Sequence, residues 1–115
     1  GVYAHHYDEI ELGPRGRLLD VRVDRISRAG DTTWSSGTEV KTRVDEAARR
    51  AVIEARIPAR DVVSALHPGA TLRMGLFRTE GAAPSRVFLA WSPPRTAKPD
   101  FHVFDAFGDL VLDAR

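Results

Sequence analysis

Phe88-Leu89-Ala90-Trp91-Ser92-Pro93, continued by Pro99-Asp100-Phe101-His102-Val103 and Phe107-Gly108, decides how the rest of this chain is read. A short apolar run ends on a Trp. Prolines and a polar loop then break it, because Pro has no backbone N–H to give a sheet. Aromatic and ionisable side chains follow. A Phe-Gly turn leads into a last predicted strand at 109–113. This pattern reads as the edge of an antiparallel β-sheet with aromatic faces placed beside polar groups.

Working outward, 71–79 predicts one strand, with a loop at 80–84 and a further strand at 85–91. One helical turn is expected at 103–107. Near the N-terminus, 3–12 predicts a strand with Tyr3, His5, Tyr7, Glu9 and Glu11 on one face. Gly13-Pro14-Arg15-Gly16 is a turn signal. In the next strand, 17–24, Leu19, Val21 and Val23 alternate with Asp20, Arg22 and Asp24, so these two strands read as a hairpin. The polar face of Asp20, Arg22 and Asp24 is expected to neighbour Glu9 and Glu11. A polar loop spans 27–37 and a strand spans 38–44. The segment 44–57 supports two readings. Val44, Ala47, Ala48, Ala51, Val52 and Ala55 recur at helical spacing in an Ala/Glu/Arg-rich stretch, yet Ala51, Ile53, Ala55 and Ile57 also alternate. Pattern alone leans towards helix. Pro58 ends either element, and 59–66 predicts a short helix closed by His67-Pro68-Gly69.

At 115 residues the chain is expected to form a single domain over 1–115. Its net charge is +1, from 17 basic and 16 acidic residues. No basic cluster interleaves with aromatics, so neither nucleic acid nor membrane is an expected partner. There is no cysteine, which removes disulfides, thiolate metal sites and Cys nucleophiles. No apolar run approaches the roughly 18 residues of a membrane span, and the sequence shows no signal-peptide pattern, which a mature or trimmed chain would not carry. Many short strands separated by turn signals predict an all-β fold, an antiparallel β-sandwich of immunoglobulin-like or jelly-roll-like type with one or two short helices.

Several pieces resemble, in order, the family-nine carbohydrate-binding modules and their uncharacterised relatives. They are Tyr7-Asp8-Glu9-Ile10-Glu11-Leu12 with Gly13 and Gly16, Leu19-Asp20-Val21, Val52-Ile53-Glu54-Ala55-Arg56-Ile57-Pro58, Leu72-Arg73-Met74-Gly75-Leu76-Phe77-Arg78, and the 88–108 stretch. The resemblance implies that 49–57 is a strand despite its helical spacing, and that two antiparallel sheets form a sandwich. It also implies an extracellular or periplasmic setting. The chain departs from the family in two ways. The family's domain usually has further strands upstream, which carry one aromatic wall and calcium-associated acids, so the chain is expected to be N-terminally truncated. The family's sugar binders hold an amide and an arginine where Glu9 and Glu11 stand, and a Trp near Phe101.

The candidate sugar-binding residues are Phe101, His102, Trp91, Glu9, Glu11, Arg78 and Tyr7. An aromatic ring stacks on the C–H face of a sugar, while carboxylates and guanidinium groups take its hydroxyls. Each has a plainer reading. Phe101 would cap the sandwich. Trp91, ending an apolar strand, reads first as core, as does Trp34. Arg78 would pair with Glu80 or Glu9. Glu9 and Glu11, about 7 Å apart along a strand, would form a solvated face, and the same spacing is open to glycoside hydrolysis. No catalytic residue is assigned, and no enzyme activity is expected of this chain, although a larger parent protein could be a glycoside hydrolase. No metal site is expected: adjacent His5 and His6 point to opposite faces, and no spacing gathers ligands around His67. Calcium at Asp31, Asp100 or Asp105 has no loop motif behind it. Met74 with His102 as a haem pair is outweighed by Met as core filler. The sequence therefore predicts a non-catalytic module binding an oligo- or polysaccharide in polysaccharide degradation. The alternative is a structural β-sandwich whose open edge is completed by a partner chain or a second copy.

Overall fold

The structure is a computed structural model that describes residues 5–58 and 66–113. The fold is all-β and antiparallel, with nine short strands and one 3-10 turn among the described residues. The helix expected at 59–66 falls almost wholly outside them. The chain divides into two compact units, Gly1–Asp61 and Val62–Arg115.

In the first unit, β1 (His6–Leu12) and β2 (Leu18–Asp24) form the expected hairpin. Gly13 and Gly16 close it: the Gly13 N–H donates to the Arg17 carbonyl at 2.8 Å, and Gly16 takes a φ of +78°, open to glycine at little cost. The Asp24 carboxylate ends β2 by accepting from the Ile26 and Ser27 amides at 3.0 and 2.7 Å. The chain doubles back into β3 (Gly30–Asp31), a two-residue strand inside the expected loop, paired to Val23 and Arg22. A second hairpin joins β4 (Glu39–Asp45) to β5 (Arg50–Arg56). Its strand at 50–56 is the one the family resemblance implies, against the helical spacing. Pairing to β4 overrides local propensity, as β-structure commonly does. In the turn the Asp45 side chain accepts from the Ala48 amide at 2.9 Å, and Arg49 adopts a φ of +51°.

In the second unit, the single strand expected at 71–79 is two. β6 (Thr71–Met74) pairs with β9 (Gly108–Val111), whereas β7 (Phe77–Glu80) pairs with β8 (Val87–Ala90). The break falls at Gly75-Leu76, and the reason is steric. A Cβ on Gly75 would stand 2.5 Å from the Phe77 ring and 3.0 Å from Phe107, so only glycine lets the aromatic rings close over the backbone there. The helical turn expected at 103–107 is the 3-10 turn Phe104–Ala106.

Little of this is core. Among the described residues only Val23 and Ala70 are buried hydrophobics, and Asp20, Ser36 and Thr38 are buried polar groups.

Candidate functional site

The second unit gathers all five phenylalanines of the chain. Phe101 stacks on Phe77 with centroids 4.4 Å apart and rings 17° from parallel, and it meets Phe88 edge-on at 5.8 Å. Phe77 also tilts against Phe107 at 6.2 Å, and Phe107 against Phe104 at 5.3 Å. The register of β7–β8 explains the grouping. Thr79 opposes Phe88 and Phe77 opposes Ala90, so Phe77 and Phe88 project from one face of the hairpin. Phe101 packs onto that face from the loop after β8. Stacked and edge-to-face pairs of this kind contribute about 0.5–1.5 kcal/mol each beyond the area they bury.

Phe101 is thus half-buried and has one ring face occupied by Phe77. Its neighbour His102 is exposed, and the Asp100 carboxylate fixes the turn by accepting from the His102 amide at 2.9 Å. Trp91 overturns its first reading as core: 53% of it is exposed. Its backbone N–H donates to the Leu76 carbonyl at 2.9 Å, and its ring lies on Gly108, where a Cβ would come within 2.9 Å of it. The glycine after Phe107 therefore makes room for the six-membered ring of the indole against β9. An exposed, supported indole joined through Gly108 and Phe107 to a strip of phenyl rings is suited to stacking on an apolar ring face.

Arg78 is separated from Phe101. It opposes Leu89 on the other face of β7–β8 and forms an ion pair with Glu80, the partner the sequence suggested. The pair is largely solvated, so it adds little to stability.

The remaining candidates lie in the first unit. Tyr7, Glu9 and Glu11 share one face of β1, as expected, but the expected polar neighbours do not. Glu9 stands opposite Val21, Glu11 opposite Leu19 and Tyr7 opposite Val23. The two strands are out of phase: Glu9 and Glu11 stand on the face where β2 puts Leu19, Val21 and Val23. Asp20, Arg22 and Asp24 belong to the opposite face with Ile10, Asp8 and His6.

That opposite face is organised. Arg22 grips Asp8 in a two-pronged ion pair at 2.8 and 3.1 Å, and its guanidinium lies 4.4 Å from the centroid of Trp34. Asp20, expected on a solvated face, is buried and anchors the 32–38 loop. Its Oδ2 accepts from the Ser36 amide at 2.9 Å and the Ser35 hydroxyl at 3.3 Å. Its Oδ1 has no hydrogen-bond partner among the described residues. Ser36 and Thr38 hydroxyls pair beneath it at 2.6 Å. This role was not legible in the strand alternation, but the Asp-to-Ser-Ser spacing only gains meaning once β2 and the loop are juxtaposed.

Two carboxyls are shifted. Asp31 is held below its ordinary value by hydrogen bonds from the Thr33 hydroxyl and amide, with Arg22 adding attraction. Asp24 is lowered by the Ser27 amide and hydroxyl. Both are N-cap-like turn carboxylates with structural work to do. Among the described residues no three His, Asp or Glu side chains are grouped to hold a metal ion. No helix there is long and apolar enough to cross a membrane. No protein-family model matches the chain, and neither a curated protein nor a solved structure is found to be similar to it.

Proposed function

We propose that this chain is a non-catalytic carbohydrate-binding module, in which the second unit makes the contact with an oligo- or polysaccharide. The observation that carries the reading is the exposed Trp91 indole seated on Gly108. Indole faces attract the C–H face of a pyranose, and a rigid platform loses little entropy on binding. His102 and the outer ring face of Phe101 would extend the contact, with hydroxyl groups met by the exposed imidazole. The ordered resemblance to family-nine modules supports the same ligand class, and with it a setting in exported polysaccharide degradation. Tyr7, Glu9, Glu11 and Arg78 are not needed for this contact. Titration calorimetry against a panel of neutral and acidic oligosaccharides tests the proposal. Binding that is abolished by Trp91→Ala supports it, and no heat with any sugar at millimolar concentration removes it.

A second reading has its own observation. Among the described residues fifteen large hydrophobic side chains are exposed, while Val23 and Ala70 alone are buried hydrophobics. A sheet protein with so little buried apolar area is suited to be an interaction module whose faces are covered by another chain.

A further inference from the structure

We propose that the sugar chain taken by the Trp91 platform is anionic, a uronate-bearing oligo- or polysaccharide whose carboxylates are held by Arg95 and Lys98. The proposal rests on the carbohydrate-module reading and names the substrate class of that site.

Residues 91–100 form a loop that joins the indole to the phenylalanines. It leaves the sheet at Ala90, which opposes Phe77, and it returns at Phe101, whose ring stacks on Phe77 at 4.4 Å. Both ends of the loop therefore stand at the same residue, as in the compact surface loops that frequently carry function. Pro93, Pro94 and Pro99 restrict its backbone. Thr96 braces it by donating its hydroxyl to the Lys98 carbonyl at 2.7 Å, and Asp100 braces the return by accepting from the His102 amide at 2.9 Å. Arg95 follows Trp91 by four residues, so their Cα atoms are at most about 14 Å apart.

Charge distinguishes this loop from the strands beside it. Arg95 and Lys98 are exposed, and among the described residues neither forms an ion pair. The arginines of the strands are engaged: Arg73 reaches the Asp109 carboxylate at 3.3 Å and the Asp105 carbonyl at 3.1 Å, and Arg78 pairs with Glu80. Nor does Asp109 oppose the loop's charge at the indole. A Cβ on Gly108 would point at the Trp91 ring, so Asp109 and its strand partner Arg73 belong to the other face of β6–β9. The face on the indole's side carries Met74 and Leu110, which are apolar. The loop's own acid, Asp100, spends one oxygen on the His102 turn.

A ligand on the indole thus meets an apolar ring face from below and two unanswered cations from the loop. A neutral sugar takes nothing from those charges. A uronate chain repeats a carboxylate from ring to ring, so one ring can stack while its neighbours reach the loop. The guanidinium fork of Arg95 matches a planar carboxylate with two parallel hydrogen bonds, and the Lys98 ammonium supplies a point charge.

Titration calorimetry on the whole chain tests this, comparing oligomers of galacturonate, glucuronate and mannuronate with their methyl esters, which keep the skeleton and remove the charge. At least one uronate should bind at least about tenfold more tightly than its ester. Raising NaCl from about 0.05 M to about 0.5 M should shrink that preference. Arg95→Gln combined with Lys98→Gln should abolish it, and Arg95→Lys combined with Lys98→Arg should keep most of it. Arg86→Gln, at the opposite end of β8 from Trp91, should leave it intact. Uronates and esters that bind alike, a preference that survives the glutamine pair, or one lost equally in Arg86→Gln overturns the anionic assignment and leaves the carbohydrate-module reading standing. Tighter binding of a sulfated oligosaccharide than of every uronate overturns the carboxylate as the recognised group. Failure to bind any sugar overturns both readings.

Discussion

Phe101 is where sequence and structure meet most closely. Its place after a proline-broken loop marked it out, but its partners Phe77 and Phe88 sit on strands whose pairing no local pattern reveals. Because the ring is half-buried between them, Phe101→Ala should lower unfolding free energy by about 1–3 kcal/mol, less than a fully buried Phe would. Phe101→Trp should restore most of it, as urea titration would show. Asp24 and Asp31 predict a pH effect. Their folded-state pKa values lie below the ordinary 3.8, so their contribution is full above that value. It is lost as pH falls through the lowered values. Asp24→Asn and Asp31→Asn should flatten the acid limb of the stability curve below pH 3.8, measured by thermal melts across acid buffers. The Asp-x-x-Ser and Asp-x-Thr spacings that create these turns were legible in the sequence in principle, since such side chains bond their own backbone a few residues on. Trp91 was misread as core because a strand-end Trp has no local sign of which side it will show.

The strands were mostly legible, since alternation and turn residues are local signals, and β1, β2, β4, β8 and β9 fall close to where those signals put them. What failed was whatever depends on pairing. The 71–79 run has an unbroken strand pattern, yet it serves two sheets because of one glycine. Gly75→Ala should cost about 1–3 kcal/mol, because the Phe77 ring it would strike is held by Phe101 and Phe107. The melting temperature would record it. The acidic pair on β1 was set in the right phase, but the phase of β2 against it came only with the register. The β4–β5 hairpin offers a gain in place of a loss. Arg49 holds a left-handed backbone, which costs a residue with a Cβ about 1 kcal/mol. Arg49→Gly should stabilise the hairpin by up to that amount, offset in part by the greater freedom of glycine in the unfolded chain.

At the scale of the whole molecule, thin burial sets the expectations. With only Val23 and Ala70 buried among the described hydrophobics, unfolding exposes little new apolar surface. The urea m-value should therefore fall below that of an ordinary domain of this length. The family resemblance is the part of the sequence that pointed to a ligand, and composition alone could not have done so. One further feature follows from where the aromatic residues fall. Trp34 belongs to the unit Gly1–Asp61, while Trp91 and every phenylalanine belong to Val62–Arg115. Each unit therefore owns a single tryptophan. With excitation at the red edge, where Tyr3 and Tyr7 do not absorb, Trp34→Phe leaves emission from the second unit alone, and Trp91→Phe from the first. Two denaturation curves recorded this way superimpose if the halves melt as one cooperative body, and part company if each melts by itself.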